Sequence, residues 1–280
     1  MSIRNIIAWV HLRLINSRFS RIYAALILTP EAIKTIDGMK FSIPSGFVNF
    51  WVEWFGKHPQ EKPTQDWLRE NVRKGDLVYN VGANIGWYVV FLQQLGAEVT
   101  AFEPEPLNFA ELVKNSRLNG KATLYPAAVS NRNGWANFYV VDAKAGNASG
   151  YLDTYVLHEG ERSVVGDTKV PLMTLSDLPS PDILLIDVDG GEVDVLEGAN
   201  LENTRAVIVE VEQPTAMPVN DLLEGKGFCL SSATKFQIGN EVITYADGLR
   251  LDRRRGNMIY VLPPEIVGHL PQGNCSNKHG

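Results

Sequence analysis

The sequence predicts an α/β protein whose mostly parallel sheet is covered by helices on both faces. Two observations predict it. From Gly75 onward, short apolar runs alternate with longer segments of helical spacing, the pattern of strands joined by crossover helices. Glycine, proline and asparagine fall between these segments, where turns and caps need them.

The first thirty residues stand apart from that pattern. They carry Arg4, Arg13, Arg18 and Arg21 with no acid before Glu31, and Ile3, Ile6, Ile7, Val10, Leu14 and Ile15 recur at helical spacing. A helix docked on the protein's own body is the expected use of such a stripe. Contact with an anionic membrane surface is the alternative. No apolar stretch reaches the roughly 20 residues needed to cross a bilayer, and no signal-peptide pattern follows the charges. A cytoplasmic location is expected, with a membrane-peripheral one as the alternative.

After Gly46 come Trp51, Trp54, Phe55 and His58, which read as packing. Thr64 or Asp66 can cap a helix running to about Val72. "LVYNVGA" then reads as a buried strand, "IGWYVVFLQQLG" as a helix and "EVTAFEP" as a strand. The next helix opens at Pro106 and closes at Asn119-Gly120. "ATLYPAAVS" is a third strand, and "GWANFYVV" a strand of alternating character. The segment from Asp142 to Asp167 is polar and aperiodic, so it is expected to lack structure of its own and to serve function. Alternation resumes with "DILLIDV", "GEVDVLEGA", "RAVIVEV", a helix ending near "LLEGKGF" and a last strand, "NMIYVLP".

The chain's 280 residues carry a net charge of −6, which argues against nucleic acid as a partner, since such binders show a basic footprint. Cys229 and Cys275 are the only cysteines. Neither has metal-ligand neighbours, and the fold is expected not to rest on disulfides.

"VYNVGANIGW" is the first stretch that bears on chemistry. Gly82 and Gly86 close a strand, and three occupants suit them: a dinucleotide, a nucleoside without pyrophosphate, or a packed neighbouring helix. A dinucleotide loop reads G-x-G-x-x-G. Here Asn84 replaces the middle glycine and brings a side chain where the pyrophosphate must approach. Glu103, 21 positions after Gly82, ends the second strand, where a carboxylate accepts hydrogen bonds from ribose hydroxyls. A glycine loop with a ribose carboxylate and no pyrophosphate glycine fits S-adenosylmethionine (SAM), an adenosine with a small zwitterionic tail. An NAD-dependent oxidoreductase is the disfavoured enzyme alternative.

With these residues goes a family resemblance. "VYNVGANIGWYVVF", "AFEPEPLNFAELVKNSRLNG", "AAVSNRNG", "VPLMTLSDL", "DILLIDVDGGEVDVLEGA" and "NMIYV" occur in the order seen in FkbM-type SAM-dependent methyltransferases. The resemblance implies a Rossmann-like class I methyltransferase fold: a seven-stranded sheet with an antiparallel last strand, here preceded by a helical N-terminal region. It also implies SAM as cofactor and O-methylation of a hydroxyl on a small molecule or glycan. By this reading residues 1–60 are an N-terminal helical and aromatic extension, 61–265 the methyltransferase domain and 266–280 a tail, with 142–168 an acceptor-side insertion. A SAM-binding domain without activity is the non-enzyme alternative.

The resemblance places Gly82, Asn84 and Gly86 in the SAM loop and Glu103 on the ribose. Asn80 stands where the family commonly has aspartate, and Asp189 where it has glutamate. Asp189 is equally suited to cap the next helix. Ala127 or Ala128, at the end of the strand from Ala122, is expected beside the adenine.

For the chemistry, Asp187 follows "ILLI" at the sheet edge where ligands bind in open α/β folds, and is the leading candidate for base or acceptor-orienting residue. His158 is the second base candidate, by its intrinsic pKa. Tyr151 and Tyr155 are candidates for stacking on a sugar, and Arg253, Arg254 and Arg255 read as a solvated turn. A divalent cation is not expected; its candidate ligands are Asp187, Asp189 and Glu212, with Glu192 and Glu210 nearby.

Overall fold

Ile183–Ile186 is apolar at every position and Ala206–Val211 at every position but Glu210 because both faces of their strands are covered, as parallel sheets require. The structure, a computed structural model, describes residues 32–43, 61–142, 148–152, 163–211, 213–231, 235–238, 241–244 and 256–262.

In chain order the elements begin with a hairpin, β1 (Ala32–Ile36) and β2 (Met39–Ile43), and the helix α1 (Lys62–Asn71). The first half of the main sheet follows as β3 (Leu77–Val81), α2 (Trp87–Leu95), β4 (Glu98–Phe102), α3 (Pro106–Asn119) and β5 (Ala122–Tyr125). Next come β6 (Ala128–Val129), β7 (Gly134–Asp142), β8 (Ala148–Leu152) and β9 (Ser163–Met173). The second half comprises β10 (Ile183–Ile186), α4 (Glu192–Glu197), β11 (Ala206–Val211), α5 (Gln213–Gly225), β12 (Cys229–Leu230), the hairpin β13 (Lys235–Ile238) and β14 (Glu241–Thr244), and β15 (Gly256–Val261).

Among the described residues the main sheet has seven strands in the order β12-β15-β11-β10-β3-β4-β5. Strands β11, β10, β3, β4 and β5 run parallel, and β15 runs antiparallel to β11 and β12. This is a Rossmann-like sheet with an antiparallel last strand, as expected. The chain enters at β3, moves outward to β5, then returns to β10 on the other side of β3. The reversal makes β3 and β10 the topological switch point, beyond whose carboxyl ends ligands bind in open α/β sheets.

Alternate residues of each strand feed two cores. Val78, Ala101, Leu185 and Ile208 pack against α1, α2 and α3 on one face, through Leu68, Val89, Leu92 and Leu112. Tyr79, Phe102, Ile186 and Val209 pack against α4 and α5 on the other, through Val195, Leu196, Val219 and Leu223. Each such aliphatic side chain contributes about 1.5–3 kcal/mol on burial. At the amino ends of the strands, buried Arg205 pairs with Asp76, reaches Asp182 at 3.3 Å and donates to the Asn71 carbonyl at 3.1 Å. That network ties β3, β10 and β11 together at the edge away from those carboxyl ends.

Several expectations are corrected. Residues 32–43, within the stretch read as a helical and aromatic extension, form a β-hairpin set into the core. Met39 and Phe41 are fully buried, Phe41 stacks on Trp87 at 5.2 Å, and Asn115 and Asn119 hydrogen-bond its backbone. Its turn is fixed by Asp37 and Gly38, both at positive φ, and the alternation in "MKFS" is strand-like. α1 starts at Lys62 behind Glu61, ahead of Thr64 and Asp66, because Pro63 suits the first turn.

"ATLYPAAVS" is two strands, not one. Pro126 offers no N–H to a ladder, and after it β6 joins a second, four-stranded sheet, β6-β9-β7-β8. The aperiodic segment after Asp142 also holds strands: β8 and β9 both flank β7. The β7–β9 register shifts between Val140 and Val141, a bulge that breaks the two-residue period of β9. Finally, Cys229 is disulfide-bonded, against the expectation of a fold without disulfides.

Candidate functional site

The loop after β3 is built from left-handed backbone at alternate positions: Gly82, Asn84 and Gly86 have φ of +82°, +51° and +95°. Asn84 holds a conformation that L residues rarely adopt, which its short polar side chain tolerates; its Oδ1 accepts from the Ile85 N–H at 2.7 Å. The remaining N–H groups are equally occupied. Gly82 and Ala83 donate to the Phe102 carbonyl, Gly86 to that of Ala83, and Asn84 to Glu103 Oε2. All five N–H groups from Gly82 to Gly86 therefore donate within the protein. A pyrophosphate cradle needs such groups free.

The two glycines are explained by close neighbours. A Cβ on Gly82 would lie 1.8 Å from the Asp187 carbonyl oxygen, and one on Gly86 would lie 2.7 Å from Leu112 Cδ1. Gly82 thus lets the ends of β3 and β10 meet, reinforced by the Asp187 N–H donating to the Val81 carbonyl at 2.9 Å. Asp187 itself is half-buried at the switch point.

Glu103 closes β4 with its carboxylate buried, 5% exposed. Oε2 accepts from the Asn84 N–H at 2.7 Å and Oε1 from the Glu105 N–H at 2.8 Å. Burial pushes its pKa up to about 8, against the pull of these N–H donors, with the nearby Glu105 carboxyl adding to the rise. The Asn108 side chain also donates to this carboxylate, and the lone-pair capacity that is left suits hydroxyl donation from a ligand, which would favour its ionised form. That is the chemistry of a ribose 2′,3′-diol, and the residues present fit an adenosine ligand.

Asn80, buried at 2% exposure, sits one step behind the loop on β3. Its side chain has no hydrogen-bond partner among the described residues. A buried amide without a partner is costly in a filled core and suited to a ligand's polar end.

Two further side chains, Glu61 and Tyr88, were missed in the sequence. Tyr88, in the first turn of α2, donates its hydroxyl hydrogen bond to Glu61 Oε2. Burial pushes the Glu61 carboxyl up to about 7; the Tyr88 hydrogen bond opposes the rise, and the Asp187 charge adds to it. Tyr88 is raised well above the usual phenol range by burial, with the charges of Glu61, Asp187 and Glu210 adding to it. These four side chains are therefore electrostatic neighbours. Nothing in the sequence marks Glu61, which sits in a polar run, or Tyr88, which reads as helix core.

The other candidates lie apart or outside. Ala128 belongs to the second sheet and packs there with Ala136, Phe138 and Leu172. Asp189 is in the turn before α4, whose N-cap is Gly191, so Asp189 does not cap it. Glu192, at the first position of α4, is buried and pushed up to about 7, and it accepts from the Gly190 N–H. Tyr151 stacks obliquely on Tyr139 at 5.4 Å. His158, Tyr155, Glu212, His58, Trp51, Trp54, Phe55, Arg253, Arg254 and Arg255 lie outside the described residues, as do residues 1–30. Among the described residues no group of three or more His, Cys, Asp or Glu is arranged to hold a metal, and no helix is long and apolar enough to cross a membrane.

The chain is similar to known methyltransferases over part of its length. The hexuronic acid methyltransferase AglP of Haloferax volcanii is 30% identical over 147 residues, 51% of this chain and 59% of that relative. The 31-O-demethyl-FK506 methyltransferase FkbM of Streptomyces tacrolimicus is 48% identical over 54 residues, 18% of this chain and 21% of the relative. The matches therefore cover less than two thirds of either relative. Among solved structures, a ribosomal protein L11 methylase from Lactobacillus delbrueckii subsp. bulgaricus aligns with TM-score 0.44 and 13% identity, over 74% of this chain and 80% of that one. The model of the methyltransferase FkbM domain matches residues 80–228, from Asn80 through the glycine loop, Glu103 and Asp187 to the end of α5 and beyond. Matched over more than half its length, the chain belongs to the FkbM methyltransferase family.

Proposed function

We propose that the chain is a SAM-dependent methyltransferase acting on a hydroxyl of a glycan or small molecule. The observation that carries this reading is the pairing of a loop whose N–H groups are all occupied with a buried carboxylate that keeps free lone pairs. Together they favour a nucleoside without a pyrophosphate. The names of the two curated relatives, one a hexuronic acid methyltransferase and the other acting on a 31-O-demethyl compound, support oxygen as the acceptor atom.

In this reading Glu103 holds the ribose, the Gly82–Gly86 loop shapes the floor, and Asn80 meets the polar tail. Ala128 is retained only as a backbone neighbour of the adenine. SAM supplies a methyl group already activated on a sulfonium; transfer breaks the S–CH₃ bond, forms O–CH₃ and releases the hydroxyl proton. Asp187, half-buried at the switch point, orients the acceptor hydroxyl or takes that proton, and His158 is the second candidate base. Positioning alone supplies up to roughly 7–11 kcal/mol of barrier reduction. No metal step is required, the acidic net charge disfavours nucleic acid as acceptor, and the segment 142–168 is the proposed acceptor side.

Incubating extracts with the protein and methyl-labelled SAM tests this directly. Mass spectrometry should find one labelled methyl on a hydroxyl of a sugar or small molecule. Label on nitrogen or nucleic acid, or no transfer to any pool, would contradict it.

A further inference from the structure

The second sheet, β6-β9-β7-β8, has two unlike faces, and the methyl-transfer reading gives the outward one no role. Ala136 and Phe138 of β7 are buried together with Val170 and Leu172 of β9. Strand alternation therefore puts Trp135 and Tyr139 of β7, with Asp167, Lys169 and Pro171 of β9, on the opposite face. Trp135 lies directly across from Pro171 and, at 70%, is the most exposed large hydrophobic side chain among the described residues. Further along that face Tyr139 lies across from Tyr151 of β8, their rings 5.4 Å apart.

A single exposed apolar side chain needs no explanation, but this one stands on a pinned support and beside unpaired charge. In the bend before β7, Asn131 donates to Asp194 and Glu197 of α4. Asn133 donates to Asp177 at 2.7 Å and accepts from the Thr174 N–H at 3.0 Å. Arg132, between them, and Lys169, diagonal to Trp135, are exposed, and neither makes a hydrogen bond or ion pair with another described residue. Asp167, the acid of this face, lies at the Tyr139 end. The Trp135 end is thus cationic in a chain of net charge −6. A sugar ring has an apolar C–H face and a polar rim, which suits a flat indole with donors beside it, and a carboxylate on that sugar complements the two cations. From Trp135 the face leads to Tyr151, inside the proposed acceptor-side segment.

We propose that this outward face binds an acidic saccharide, with a sugar ring stacked on Trp135 and its carboxylate on Lys169 and Arg132, as the outer part of a glycan acceptor. The inference rests on the reading of a glycan as acceptor and names its class. Three probes separate the parts of the site. Tetragalacturonate carries sugar rings and carboxylates; maltotetraose carries the rings without the charge, and polyglutamate the charge without the rings.

The test is the affinity of the three probes, by calorimetry, for the full wild-type chain, Trp135→Ala and Lys169→Glu, both substitutions lying at exposed positions. Wild type should bind tetragalacturonate most tightly and polyglutamate least. Trp135→Ala should weaken both sugars, tetragalacturonate by roughly 10-fold or more. Lys169→Glu should weaken tetragalacturonate roughly 3- to 10-fold and leave maltotetraose unchanged. S-adenosylhomocysteine binding should be the same in all three proteins. No binding of tetragalacturonate by wild type, equal binding by Trp135→Ala, or polyglutamate binding as tightly as the sugar would overturn the inference. A dimer in sedimentation that Trp135→Ala dissolves would also overturn it, by giving the face to a second copy of the chain. In each of these cases the methyltransferase reading would still stand on transfer of the labelled methyl to a hydroxyl.

Discussion

Replacing Glu103 by glutamine probes the proposed ribose seat through a property of the ligand-free protein. In the fold this carboxyl is pushed up to about 8, and in the unfolded chain it stands near 4.5. Between those values the native state holds a proton that the unfolded state gives up, so stability falls as pH rises. Each pH unit in that window costs about 1.4 kcal/mol. Glutamine cannot titrate, and its amide NH₂ faces one of the two backbone N–H donors, leaving that pair unsatisfied at a cost of about 1–3 kcal/mol. Glu103→Gln should therefore be less stable than wild type at pH 5.5 and gain on it by about 3 kcal/mol by pH 7.5. The raised acids Glu61 and Glu192 are common to both proteins and cancel from the difference, whereas Glu105 is coupled to Glu103. Urea unfolding at the two pH values measures it. A difference that does not move with pH would refute the account of Glu103 as a buried, proton-holding group. With ligand, the same variant should lose adenosine binding.

The other predictions concern the switch point and the edge opposite it. Gly82→Ala drives a methyl group into the Asp187 carbonyl at a positive φ, and should cost on the order of 3 kcal/mol or more by urea midpoint. Asn84→Gly should be close to neutral in stability, whereas Asn84→Ala should cost about 1–2 kcal/mol through its left-handed backbone and the lost Ile85 hydrogen bond. Arg205→Met leaves buried Asp76 without its partner and should destabilise by about 3–5 kcal/mol, with ligand affinity per folded molecule unchanged. Asp187→Asn should lower methyl transfer by roughly 100-fold or more while 5′-methylthioadenosine still binds; undiminished transfer would remove Asp187 from the chemistry.

The main sheet was legible because its central strands are mostly apolar runs bounded by turn residues. Gly82, Gly86 and Glu103 were legible as a spacing, but their physical roles differ. The glycines make room for Asp187 and Leu112, and the argument against a pyrophosphate rests on the occupied N–H groups of the loop, which no spacing displays. β9 was hidden because a bulge breaks its two-residue period, and β8 because it is a short strand in a glycine-rich, polar segment. The β1–β2 hairpin was overlooked because it is short and follows a stretch of helical spacing. Glu61 and Tyr88 meet across 27 residues of sequence, a contact created by the docking of α1 on α2 and invisible to local pattern. The strand break before Ala128 was hidden because nothing but Pro126 marks where the chain passes into the second sheet.

The central claim is that the site beyond the carboxyl ends of β3 and β10 seats adenosine without a pyrophosphate. Titrating the chain with S-adenosylhomocysteine and with NAD under one set of conditions tests it most directly. The account predicts saturable binding of S-adenosylhomocysteine at one site, lost in Glu103→Gln, and no binding of NAD. Binding of NAD at that site, or S-adenosylhomocysteine binding that survives the loss of Glu103, would contradict it.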